Sequence, residues 1–277
     1  MNRYLKLVNF ELNRFMKIYL VLIGVTIVSQ IIGVIVRANQ YLSRANELIY
    51  EELMPKEAFL EQYGRMSFEL VVQTLWFSGP IALCIATLTI YVLFIWYRDW
   101  LGKNTFIYRL LMLPTARINV YLAKATTILL FVLGLVSVQL ILFPIESRIL
   151  QLIVPIDFRL DLSIHEIIST FYHLNILFPN TFIEFLIYYG TGFAAVLVLF
   201  TAILFERSFR WKGIFFGLLY GGVSVLVFLS PILIESFILQ EFFYPIELFV
   251  LEMITGLIVI AGSIWVSAYL LKKRIRV

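Results

Sequence analysis

The chain has 277 residues, of which 61% are hydrophobic and only 14% charged, and its mean hydropathy is +0.93. That balance excludes an ordinary soluble domain. Nucleic acid is a poor explanation for the formal charge of +4, because the basic residues flank apolar runs and form no single solvated patch.

Residues 1–17 carry Leu5, Val8, Leu12 and Phe15 at helical spacing, with Arg3, Lys6, Glu11, Asn13 and Arg14 around them. Such a segment is either a helix lying in the headgroup layer or an extension of the first span. Six long apolar runs follow, at 18–36, 70–96, 125–143, 182–205, 214–234 and 248–271. A hydrocarbon core of roughly 30 Å needs about 20 helical residues, and these runs have that length. Barrel strands would be about 10 residues long and would alternate polar with apolar, which these runs do not do. The expected fold is therefore all-α: one polytopic domain over 1–277, with an interfacial helix at 1–17 and outer loops at 37–67 and 144–181. The first run lacks a small-x-small cleavage site and is expected to stay in the protein as a span.

Charge orients the spans. Sixteen of the 22 Lys and Arg residues fall at 1–17, 97–124, 206–213 and 272–277, so both termini are expected in the cytoplasm, facing anionic lipid. The outer segments hold Arg37, Arg44, Lys56, Arg65, Arg148 and Arg159, together with most of the acidic residues.

Inside the spans, Gly79-Pro80 reads as a kink whose freed carbonyl needs another donor. Gln73 and Gln139 read as interhelical hydrogen-bonding groups. Gly213, Gly217 and Gly221 recur every fourth residue and predict close helix packing. Glu69, Glu184 and Glu252 lie near the outer boundary, where snorkelling explains them better than a proton relay. Cys84 is the sole cysteine, so neither an intrachain disulfide nor a thiolate cluster is expected. In the outer loops, Pro55 is placed to begin a short helix, and Ser163-Ile164-His165-Glu166 reads as a capping box ahead of Ile167, Ile168, Phe171 and Leu174 on one face. His165 and His173 lack metal-site spacing and read as solvated.

The connection 97–124 is the most informative loop. Pro114 ends one short helix near Leu113, and Thr115 is a candidate N-cap for the helix entering the third span. Its Arg98-Asp99, Gly102-Lys103, Leu113-Pro114-Thr115-Ala116-Arg117 and Ala123-Lys124 resemble the loop between the second and third spans of ABC-2 type exporter permeases. The resemblance implies a multi-pass protein of the bacterial cell membrane that pairs with a separate ABC ATPase subunit and a second permease chain, identical or related. It also implies that 106–113 is a coupling helix, with Phe106, Arg109, Leu110, Leu113, Pro114, Arg117 and Asn119 at the ATPase contact. The expected cargo is an amphipathic lipid, peptide or antibiotic. No phosphate loop, GxSxG elbow or HExxH motif occurs, so no catalytic, cofactor or metal residue is expected here, and ATP and Mg would be bound by the partner. The competing expectation is a non-transporting scaffold or sensor acting through its outer loops.

Overall fold

The computed structural model describes residues 3–101, 106–239 and 242–275. Gly102 and Lys103 of the loop motif and Arg276 of the tail lie outside them, as does the side chain of His173. The α-helices in chain order are α1 (Arg3–Asn46), α2 (Lys56–Tyr63), α3 (Phe68–Val72), α4 (Leu75–Leu101), α5 (Phe106–Leu111) and α6 (Ile118–Ile153). They continue with α7 (Ile164–Thr170), α8 (Tyr172–Leu177), α9 (Phe182–Phe209), α10 (Trp211–Ile234) and α11 (Pro245–Lys273). The only strands among the described residues are β1 (Met66–Ser67) and β2 (Arg159–Leu160), which pair in parallel. Six helices (α1, α4, α6, α9, α10 and α11) are long and apolar enough to cross a membrane. The protein is all-α and polytopic.

Several boundaries differ from the sequence expectation. The run at 70–96 is not one helix, because α3 ends at Val72 and α4 begins at Leu75, leaving Gln73 exposed between them. Phe68, Val71 and Val72 are apolar because they enter a protein core, not because they face lipid. The third helix continues through Pro144 to Ile153, ten residues beyond the expected end. Residues 3–17 are continuous with the first apolar run, the extension of the two readings left open, and α1 runs on to Asn46, ten residues past the expected end at 36.

The chain divides into two compact units. The second comprises Phe15–Leu88 and Phe131–Phe178. Its core gathers Val34 and Ala38 of α1, Phe68, Val71 and Val72 of α3, Phe77 of α4, Phe143, Leu150 and Val154 in and just beyond α6, and Ile167, Ile168 and Leu174 of α7 and α8. The expected capping box is present: Ser163 Oγ accepts from the Glu166 amide, and the Glu166 carboxylate accepts from the Ser163 amide. That amide holds the Glu166 carboxyl below its ordinary range. The helix does not reach Leu174 unbroken; Phe171 is extended and separates α7 from α8, yet the apolar residues on both sides stay buried. His165 is exposed. Pro55 is the N-cap of α2, and Lys56 pairs with Asp157 at 2.8 Å, which lowers the Asp157 carboxyl.

The proline of α4 is handled as lipid requires. Pro80 leaves the Trp76 carbonyl without its intrahelical donor, and the Ser29 hydroxyl donates to that carbonyl at 3.0 Å. Beside it, Gln30 Nε2 donates to the Phe77 carbonyl and to Gln139 Oε1, which joins α1, α4 and α6. One group has no such provision. Glu146 of α6 is fully buried, and neither carboxyl oxygen has a hydrogen-bond partner among the described residues. It shares the α6 face of Phe143 and Leu150, both in the apolar core.

The first unit comprises Met1–Arg14, Thr89–Leu130 and Pro179–Val277. Here α9 and α10 form a hairpin joined by Arg210 alone, at a φ of 55°. Such a turn needs small residues behind it. A Cβ on Gly213 would lie 2.1 Å from the Phe205 carbonyl oxygen, and one on Gly217 would lie 2.9 Å from that of Ala202. Gly221 meets nothing within 4 Å, so the glycine stripe lies against α9 at two positions, not three. The Ser230 hydroxyl donates to the Val227 carbonyl that Pro231 leaves free. Across the helices, Tyr121 of α6 donates to the Leu197 carbonyl of α9, and Thr201 meets Ser267 of α11 at 2.9 Å. Thr181 and Glu184 form a capping box at the start of α9, which is the role of that outer glutamate.

Two stability outcomes follow. Gly217→Leu overpacks the α9–α10 contact and destabilises by about 1–3 kcal/mol, whereas Gly221→Leu gains helix propensity without a clash. Thermal unfolding in detergent separates them, and equal melting temperatures would place Gly217 off the helix contact. Glu146→Leu removes a buried group without a partner and raises the melting temperature, by the equivalent of about 1–3 kcal/mol. A fall would reveal a partner for that carboxyl.

Candidate functional site: a buried ionic cluster beside a short helix

Five charged side chains of the first unit converge where α1, α4 and α6 meet. Lys124 of α6 is wholly buried, and its Nζ donates to Glu11 Oε1 at 2.7 Å, to Asp99 Oδ2 at 2.5 Å and to the Ile95 carbonyl at 3.1 Å. All three protons of the ammonium are thereby used. Arg14 donates to Asp99 at 2.7 Å, and Arg98 donates to Glu11 at 3.0 Å. Asp99 thus meets Lys124 and Arg14, and Glu11 meets Lys124, Arg98 and, at 3.7 Å, Arg14.

Local structure explains the arrangement. Glu11 and Arg14 are three residues apart and share a face of α1. Asp99 sits in the last turn of α4, where the helix dipole disfavours an anion. The cations from α1 and α6 offset that disadvantage, and the Ile95 carbonyl at the same helix end takes part of the Lys124 charge. Aromatic rings complete the enclosure: Lys124 lies 5.4 Å from the Trp96 ring centroid and Arg98 lies 5.7 Å from that of Tyr91.

The short helix α5 packs onto this cluster. Phe106 stacks on Phe10 at 5.9 Å, and the Arg14 guanidinium lies over both rings. Ile107, Leu110 and Leu111 are buried, whereas Arg109 projects outward. Arg3 of α1 donates to the Pro114 carbonyl in the bend after α5, and Tyr4 bonds Thr126 within α6. Arg117 donates to the carbonyls of Leu271 and Ile275 at 2.8 and 2.9 Å, satisfying open acceptors at the end of α11. Thr115 is not the N-cap of α6, which begins at Ile118; its hydroxyl accepts from the Asn119 side chain at 2.7 Å.

The seven loop residues singled out in the sequence therefore separate into two sets. Arg109, Leu113 and Pro114 are exposed, together with Met112. Phe106, Leu110, Arg117 and Asn119 are engaged within the unit.

Sequence reading missed the cluster itself. Glu11 was assigned to the polar surround of an apolar stripe made by Leu5, Val8, Leu12 and Phe15, yet Leu5 is exposed and Glu11 is buried beside Leu7 and Val8. The available signal was the coincidence of acidic Glu11 and Asp99 with Lys124 in segments that otherwise hold basic residues.

No family model, no curated protein and no solved structure matches this chain. Fold and site define a multi-pass, all-α membrane protein with a charged cluster sealed at one end of three of its spans.

Lys124→Met leaves two buried carboxylates short of a cation and destabilises by about 3–5 kcal/mol. Replacing Glu11, Asp99 and Lys124 together by Gln, Asn and Met recovers part of that loss, because the fully buried charges are then gone and only the part-exposed Arg14 and Arg98 lack a counter-charge. Thermal unfolding of the single and triple variants checks this. Equal losses would mean that the ions act independently.

Proposed function

We propose that this chain is the transmembrane permease of an exporter whose energy comes from a separate ATPase, with the α5 end of the spans facing the cytoplasm. The carrying observation is α5, a helix of six residues bounded by a proline bend and seated on the ionic cluster of α1, α4 and α6. A short element clamped in this way moves nearly as a rigid body, so displacement applied to it reaches three spans together. The exposed group of Arg109, Met112, Leu113 and Pro114 offers a cation beside apolar surface, which suits a groove on a soluble partner.

Positive charge at 97–124 and at the tail supports this orientation. The resemblance of Leu113-Pro114-Thr115-Ala116-Arg117 to ABC-2 permease loops supports an ABC-type ATPase and a second permease chain as partners. The path for an amphipathic cargo then lies in this chain, while ATP and Mg belong to the other subunit.

Affinity purification from the native membrane is expected to recover a soluble ATPase in stoichiometric amount. The double variant Arg109→Glu, Leu113→Asp lowers that recovery about tenfold, equivalent to roughly 1.4 kcal/mol, without changing the permease in the membrane. A complex without an ATPase would favour a scaffold or sensor instead. Arg117 is unsuited to this test, since reversing its charge also uncaps α11.

A further inference from the structure

Helices α9, α10 and α11 of the first unit enclose a groove of about 170 Å³. Its wall is almost entirely carbon, with Leu186 and Ala194 on α9, Phe228 on α10 and Met253 on α11. Glu252 is the one ionisable residue lining it. The Glu252 side chain is half-buried and has no hydrogen bond or ion pair among the described residues; only its backbone carbonyl accepts, from Thr255. The groove is open where Gly190 forms its wall, because a Cβ built there meets nothing within 4 Å.

A carboxylate beside apolar walls is costly when it lacks a counter-charge, and no cation of the described chain reaches this one. The volume restricts what can supply it. A cavity of about 150 Å³ holds one benzene-sized group, whereas drug-sized ligands need roughly 300–1,000 Å³. One short alkyl chain or a single ring fits; two acyl chains do not. An uncharged apolar occupant would fill the space and leave Glu252 unpaired.

We infer that this groove is a binding site for a single-chain amphipathic amine, with the ammonium on Glu252 and the tail between α9 and α11 against Phe228 and Met253. Binding requires no ATPase. As a cargo site the groove rests on the exporter reading, but as a ligand site it stands without it.

The test uses the full chain in phosphatidylcholine nanodiscs and an octylamine analogue carrying a diazirine on its tail. Photolabelling is expected on peptides of α9 and α11, and octylamine competes at concentrations at least about tenfold below those of octanol, a preference worth roughly 1.4 kcal/mol. Glu252→Gln abolishes the preference for amine over alcohol. Gly190→Leu fills the groove and removes the labelling while the melting temperature holds; because it is independent of Glu252, it decides the matter even when the other variant fails to accumulate. Phosphatidylethanolamine in the disc leaves labelling unchanged. Labelling spread over all lipid-facing helices, parental labelling in either variant, or competition by phosphatidylethanolamine would overturn the assignment. These outcomes concern the isolated permease, so they are distinct from failure to recover an ATPase.

Discussion

A single ammonium held between two carboxylates is the constraint on which the first unit depends. Lys124 has no exposed surface, and taking such an ion out of water costs several kcal/mol even after relaxation. Glu11, Asp99 and the Ile95 carbonyl offset that cost only while α1, α4 and α6 keep their register. Sliding one helix by a residue would strand at least one buried charge. The cluster therefore specifies an arrangement more than it adds net stability, and it does so where apolar contacts between helices discriminate weakly because lipid is equally apolar.

The same economy governs the other polar groups. Ser29 takes the carbonyl that Pro80 leaves open, Ser230 takes the one that Pro231 leaves open, and Arg117 closes the end of α11. None of these side chains is chemically unusual. Each takes a backbone acceptor that has no intrahelical donor, so a chain poor in charge places its few polar residues where the helix ladder is open. Glu146 departs from this pattern: it shares the α6 face of Phe143 and Leu150 and has no hydrogen-bond partner among the described residues.

Much of the fold was legible because lipid imposes a length: six apolar runs became six long helices. The capping box at Ser163 and the helix start at Pro55 were legible because each depends on neighbours within three or four residues. What failed was non-local. Residues 70–72 looked like membrane but belong to a core built with α1, α6, α7 and α8, and the run expected to end at 143 continues through Pro144 within α6. The loop motif pointed to the right region for the charged cluster, since Arg98, Asp99 and Lys124 were all in it. Glu11 was invisible as their partner because 85 or more residues separate it from them, and no local periodicity encodes such a pairing.

The single-residue link at Arg210 has a mechanical consequence. With Gly213 and Gly217 pressed onto the backbone of α9, that end of the hairpin is fixed like the closed end of tweezers. Any change in spread falls to the opposite ends, where Leu186 and Gly190 of α9 stand across from Phe228 of α10, whose carbonyl accepts from Thr255 of α11. With the pivot held still, a small tilt of α10 and α11 together against α9 would be magnified along roughly 25 Å of helix before it reached the mouth of the cleft.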